Sequence, residues 1–192
     1  MFKTAIGMFV CVASLLVPAQ LFARQQHMTP SAFDFSFPSI DGTQLNLSDY
    51  EGSALLVVNT ASRCGFTPQY TGLQTLWSDY RDKGLVVIGV PSDNFGGQEL
   101  DSEAEVQQFC EVNFDIDFPM TAITQVKGDS AHLFYKWVNG QVGMMGKPKW
   151  NFHKYLIGRD GQIRDWFAST TAPDGDKIRH AVQEALAQNN PS

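Results

Sequence analysis

Ala54-Leu55-Leu56-Val57-Val58-Asn59-Thr60-Ala61-Ser62-Arg63-Cys64-Gly65-Phe66-Thr67-Pro68-Gln69-Tyr70 is the stretch that decides the fold. Its opening run, Ala54 to Asn59, is apolar almost throughout and of strand length. A strand with one wet face alternates apolar and polar residues; one without alternation is covered on both faces, as in a parallel sheet. Thr67-Pro68 then reads as a helix start, with Thr as cap and Pro at the first position. Leu73, Leu76, Trp77 and Tyr80 follow at helical spacing, and Gly84 stops the helix. Leu85-Val86-Val87-Ile88-Gly89-Val90 is a second buried strand. Strand, helix, strand predicts a right-handed parallel crossover.

The flanks complete the layout. Upstream, Phe33-Asp34-Phe35-Ser36-Phe37 alternates as a strand, Asp41-Gly42 marks a turn, and Leu45 and Leu47 suggest a short returning strand. Ser48 to Glu51 form a brief helical turn that Gly52 ends. Downstream, Ser102 and Glu105 form a capping box for a helix whose apolar face carries Val106, Phe109 and Cys110. A further helix is expected over 130–138. Tyr155 to Ile157, Asp160-Gly161 and Ile163 to Phe167 read as an antiparallel hairpin, and Lys177 to Ala187 as an amphipathic helix. The order is β-β-β-α-β-α-(β)-α-β-β-α, with one strand in the middle bracketed as weak. This is an α/β, thioredoxin-like fold: a mixed central sheet flanked by helices, with an N-terminal β-hairpin.

The chain has 192 residues, enough for one domain with a sizeable core. With 43% hydrophobic and 18% charged residues it is globular. Its formal net charge of −6 argues against nucleic acid as a partner. The start is a separate matter. Lys3 precedes an apolar run, Ala5 to Val17, shorter than the roughly 20 residues of a membrane span. Val17-Pro18-Ala19 and Leu21-Phe22-Ala23 both offer a small residue at a cleavage point. Residues 1–23 therefore read as a secretory signal peptide, with an uncleaved anchor as the other reading. Residues 24–31 read as a polar lead-in, and 32–190 as the folded domain. Cleavage would export the chain, implying a periplasmic location and no stable membrane span. It would also discard Cys11 and leave Cys64 and Cys110.

Cys64 falls between the C-terminal end of a buried strand and a helix N-terminus, where sites form in open α/β sheets. Both the helix end and Arg63 favour a thiolate. An inert buried cysteine is the bland alternative. Thr67 stands where a Cys-x-x-Cys motif would place its second cysteine, which excludes dithiol exchange through that loop.

This segment resembles the peroxidatic loop of the glutathione peroxidase family, and the resemblance covers nearly all of the chain after residue 32. Val90-Pro91 through Phe95-Gly96-Gly97-Gln98-Glu99 resembles the family's second site loop. Lys149-Trp150-Asn151-Phe152-His153-Lys154-Tyr155-Leu156 resembles its third. Three motifs in the right order make the match specific. It implies catalytic roles for Cys64, Gln98, Trp150 and Asn151: a thiolate that attacks peroxide, and amide and indole donors for the leaving oxygen. Read without it, Gln98 is a loop residue, Trp150 a core aromatic and Asn151 a turn residue. The position of Cys110 resembles the resolving cysteine of the thioredoxin-dependent branch; on spacing alone it is equally a core residue beside Val106 and Phe109. Ser92-Asp93-Asn94 departs from the family's Cys-Asn-Gln run, removing a third cysteine and adding an acid. The short segment from Phe118 to Lys149 resembles the monomeric members that accept lipid peroxides.

The expected function is a thiol peroxidase that reduces hydrogen peroxide and organic or lipid hydroperoxides, with a thioredoxin-like protein or glutathione as thiol reductant. The competing readings are a thiol–disulfide oxidoreductase or peroxide sensor, and a non-catalytic binding module. No cofactor or metal is expected, because His27, His132, His153 and His180 are scattered without ligand spacing.

Overall fold

The computed structural model describes residues 30–188. The signal-peptide reading of 1–23 and most of the 24–31 lead-in lie outside them. From Ser31 onward the chain forms one compact unit.

Strand β3 (Ala54–Thr60) lies at the centre of a four-stranded sheet of order β4-β3-β5-β6, with β4 at Leu85–Pro91, β5 at Lys154–Ile157 and β6 at Ile163–Phe167. β3 runs parallel to β4, from Ala54 opposite Leu85 to Thr60 opposite Pro91. It is antiparallel to β5, and β5 to β6. All seven residues of β3 and of β4 are buried, as their lack of alternation predicts. Side chains still alternate between two cores. Ala54, Leu56 and Val58 pack on one face against helices α1 (Gln69–Tyr80), α2 (Glu103–Phe114) and α4 (Asp176–Ala187). Leu55 and Val57 pack on the other against α3 (Leu133–Gln141) and the N-terminal hairpin of β1 (Ser36–Pro38) and β2 (Gln44–Asn46). This is the thioredoxin-like arrangement the pattern predicts.

Element boundaries differ from the sequence reading where local side-chain hydrogen bonds intervene. The alternating run at 33–37 is a strand only from Ser36. Ser31 caps a 3-10 turn over Ala32–Asp34, taking the Phe33 N–H while Asp34 takes the Ser31 N–H. The helix expected from Ser130 begins at Leu133, because His132 Nδ1 accepts the Phe134 N–H and acts as its cap. Ser102 caps α2 as expected through the Glu105 N–H, but the Glu105 carboxylate takes the Ser102 hydroxyl instead of closing the box on backbone. The bracketed strand shrinks to single bridges: Met120 with Gly89, and Thr121 with Ser39. Pro119 has no N–H to extend a ladder. Residues 119–122 nevertheless stitch the N-terminal hairpin to the outer edge of β4, through Gly89 N–H to Pro119 O (2.9 Å) and Ala122 N–H to Pro38 O (2.8 Å). After α1, Gly84 takes a left-handed φ of +96° and turns the chain into β4.

Candidate active site

Three loops meet at the C-terminal end of β3. The first contains Cys64. Thr67, expected to cap α1, reaches backward instead. Its hydroxyl accepts the Cys64 N–H (3.0 Å) and donates to Ala61 O (2.9 Å), while its N–H bonds Cys64 O (3.0 Å). These three bonds close residues 61–67 into a tight loop. α1 consequently starts at Gln69, with Pro68 already helical before it. Inside the loop the Phe66 N–H points at Cys64 Sγ (3.4 Å), a backbone donor for negative charge on sulfur. Cys64 is only 7% exposed.

The second loop carries Gln98. Gly96 and Gly97 are consecutive left-handed residues, at φ +80° and +61°, which turns the chain back toward the first loop. Gln98 O accepts the Arg63 N–H (2.8 Å). Glu99 Oε1 accepts the Ser62 N–H (3.0 Å) and the Leu100 N–H (2.9 Å). Burial pushes the Glu99 carboxyl above the ordinary range.

The third loop is Trp150-Asn151-Phe152. Asn151 is fully buried, and its Nδ2 donates to Gln98 Oε1 (3.0 Å) and Phe95 O (3.4 Å). Asn59 on β3 donates to Trp150 O (3.1 Å) and accepts the Phe152 N–H at its own carbonyl (2.6 Å). Phe152 has a left-handed φ of +62°, a conformation that a bulky residue adopts only when its surroundings impose it. The imposing groups are visible: Asn59, the Tyr70 ring at 5.3 Å, and Lys154, whose Nζ donates to Phe152 O (2.7 Å) and to Gln69 Oε1 (2.7 Å). Burial alone pushes the Lys154 ammonium down to about 7. Trp150 is 40% exposed, with its ring 6.1 Å from that of Phe95.

The structure thus gathers the loops of Cys64, Gln98, Trp150 and Asn151. With Gln98 Oε1 committed to Asn151, its Nε2 hydrogens remain to donate. Cys110 is not among these loops. It sits inside α2, 1% exposed, in the apolar core that also holds Cys64, and the two are unbonded thiols. Burial first, then the nearby Glu99 and Glu111, push the Cys110 thiol up to about 12. Asn59, Thr67 and Lys154 hold the site in place and escaped the sequence reading. The available signal was a polar residue at either end of an otherwise apolar strand. Among the described residues no group of three His, Cys, Asp or Glu is placed to hold a metal.

Residues 32–139 match the family model for glutathione peroxidase. A glutathione peroxidase of Lactococcus lactis is 40% identical over 144 residues, covering 74% of this chain and 92% of that protein. The chain belongs to the glutathione peroxidase family. A hydroperoxy fatty acid reductase of Synechocystis is 39% identical over 150 residues, 74% of this chain and 89% of that one. The crystal structure of Trgpx in apo form superposes with a TM-score of 0.69 at 38% identity, covering 85% of this chain and 99% of that one. As a member of the family the chain is a thiol peroxidase that reduces hydroperoxides at the expense of a thiol reductant.

Proposed function

We propose that Cys64 is the peroxidatic residue and that Gln98, Trp150 and Asn151 form its activating shell. The observation behind this is the Cys64 loop itself: a sulfur that already receives a backbone N–H, bound through Arg63 to the loop whose amide Asn151 orients. The Cys64 thiolate attacks one peroxide oxygen and the O–O bond breaks. Sulfur becomes a sulfenic acid, and the departing alkoxide takes a proton to leave as an alcohol, or as water from hydrogen peroxide. Gln98 Nε2 and the Trp150 indole N–H donate to the oxygen that gains charge. Cys110 then attacks the Cys64 sulfur, forming a disulfide and releasing water. A thioredoxin-like dithiol protein or glutathione reduces that disulfide.

The Trp150 side of the site is open, with Met144 at 82% and Met145 at 68% exposure on the same segment. This surface and the fatty-acid-hydroperoxide activity named for the Synechocystis relative support organic and lipid hydroperoxides as substrates. The working form is a monomer, exported to the periplasm after loss of residues 1–23; the mass of the protein from its native host should show an N-terminus near Gln20 or Arg24, and an intact Met1 would refute export. Cys64→Ser should remove peroxide reduction while preserving the circular dichroism of the folded chain, because only the thiolate attacks. Retained turnover in that variant would refute the assignment.

A further inference from the structure

Glu99 is a buried carboxyl that the peroxide-reducing step does not use. It is 3% exposed. Its Oε1 is occupied twice, by the Ser62 and Leu100 N–H groups, whereas its Oε2 is buried without a hydrogen-bond partner. Around it lie other buried polar groups in the same condition: Thr60 Oγ1, Ser62 Oγ and Tyr70 OH. Buried polar atoms are rarely left unpaired, so a cluster of them needs a reason.

These groups converge on Cys110. The thiol is perturbed by Tyr70, Glu99 and Glu111, and the Tyr70 hydroxyl by Cys110, Glu99 and Thr60, although none of these contacts meets strict hydrogen-bond geometry. Asp93 adds further negative charge near Glu99. Glu99 therefore belongs to both sides. One oxygen is fixed to Ser62, two residues before Cys64, and the carboxylate acts on Cys110 in α2.

Disulfide formation poses a proton problem at this point. The Cys110 thiol must lose a proton to become a nucleophile, and its buried setting opposes that loss. The Thr60 and Ser62 hydroxyls are too weakly basic to accept it. The Tyr70 phenol, itself pushed well above its ordinary range, is protonated and can only donate. The one group of the cluster with a basic lone pair to spare is the Glu99 carboxylate.

We propose that Glu99 accepts the proton of Cys110 as Cys110 attacks the Cys64 sulfenic acid, and passes it to the departing hydroxide. The S–S bond forms and the S–O bond breaks. The proton leaves Cys110 for Glu99 and ends in the water released, so Cys64–SOH and Cys110–SH give the disulfide and one water. Tyr70 donates to the Cys110 thiolate as it develops. The proposal rests on Cys110 as the resolving thiol.

The test separates the two steps. Reduced protein is mixed with one equivalent of tert-butyl hydroperoxide between pH 6 and 9, and sulfenic acid and disulfide are quantified by acid quench, alkylation and mass spectrometry. In Glu99→Gln, which keeps an oxygen for the Ser62 and Leu100 N–H groups, disulfide formation should fall at least about tenfold at pH 7. Its rate should then climb about tenfold per pH unit, as when hydroxide must take the proton. Glu99→Asp, which retains a carboxylate, should keep the wild-type pH profile. A Glu99→Gln protein with the wild-type disulfide rate and slope overturns the proposal. Should that variant not fold, the wild-type profile decides. A plateau near neutral pH that declines toward acid, as Glu99 protonates, supports the role; a tenfold rise per unit through pH 9 without a plateau overturns it. Cys110→Ser is run beside them: arrest at the sulfenic acid establishes the resolving role on which the proposal rests. Normal turnover of Cys110→Ser with thioredoxin instead removes Cys110 from the mechanism, a failure distinct from that of Glu99.

Discussion

Gln98 is useful to a peroxidase because half of its amide is already spent. An unconstrained glutamine would present oxygen or nitrogen to the substrate in turn. Here Asn151 Nδ2 holds Oε1 at 3.0 Å, so the donor end is the one left over. Asn151 can do this because it is fully buried and bonded also to Phe95 O. The same logic explains the left-handed Phe152. Placing Asn151 inward and Trp150 outward on adjacent residues requires a sharp turn, and its backbone cost, on the order of 1–3 kcal/mol, is offset by bonds at both ends of the Phe152 peptide. Loss of one oriented donor should therefore act on the rate and not on the fold. Gln98→Ala and Trp150→Phe are each expected to slow sulfenic acid formation by about 10- to 1,000-fold at unchanged thermal stability, measured by single-turnover peroxide consumption. Unchanged oxidation rates would reduce both to structural residues.

At the level of elements, β5 carries an unusual burden: its first residue, Lys154, is fully buried and has no carboxylate partner. Its two acceptors, Gln69 Oε1 and Phe152 O, match the two hydrogens of a neutral amine. Folding lowers its pKa from 10.5 to about 7, so above pH 7 the unfolded chain binds the extra proton and stability must rise with pH. Between pH 7 and about 8.5 the gain should reach up to about 2 kcal/mol, at about 1.4 kcal/mol per unit. That window stops short of the Cys110 thiol, whose raised pKa acts in the opposite sense from about pH 9 upward. Urea unfolding should show the rise in the wild type and lose it in Lys154→Met; a flat wild-type profile would refute a neutral Lys154. This residue also shows where sequence reading stops. β3 and β4 were legible because burial on both faces erases alternation, and Cys64, Gln98, Trp150 and Asn151 through their three spaced motifs. Lys154 was not, because its partners are a backbone carbonyl and a glutamine 85 positions away. The starts at Ser36, Gln69 and Leu133 were misplaced for a related reason. Single side chains at Ser31, Thr67 and His132 set them, and periodicity is blind to one hydrogen bond.

For the whole molecule, the sheet sorts the two thiols onto one side. Cys64 and Cys110 belong to the core between the sheet and α1, α2 and α4, yet they are unbonded and each is enclosed by its own element. A disulfide requires Cα atoms within about 7 Å and aligned Cβ vectors, so the proposed Cys64–Cys110 bond needs one element to open. The three helices of that layer differ in how firmly they are held. α1 buries Tyr70, Gly72, Leu73, Leu76 and Tyr80, and α4 buries Ile178, Val182 and Ala185. α2 buries only Val106 and Cys110 among its twelve residues and leaves Val112 73% exposed. Releasing Val106 forfeits about 1.5–3 kcal/mol, well within the range of local opening, whereas α1 would forfeit several times that. α2 is therefore the element that yields. Peroxide treatment should give a Cys64–Cys110 disulfide on peptide mapping, with amide hydrogen exchange rising across 103–114 while 69–80 and 176–187 stay protected. A disulfide formed with α2 as protected as in the reduced protein would show that the thiols meet without opening, and the weak hold on α2 would then have no part in the cycle.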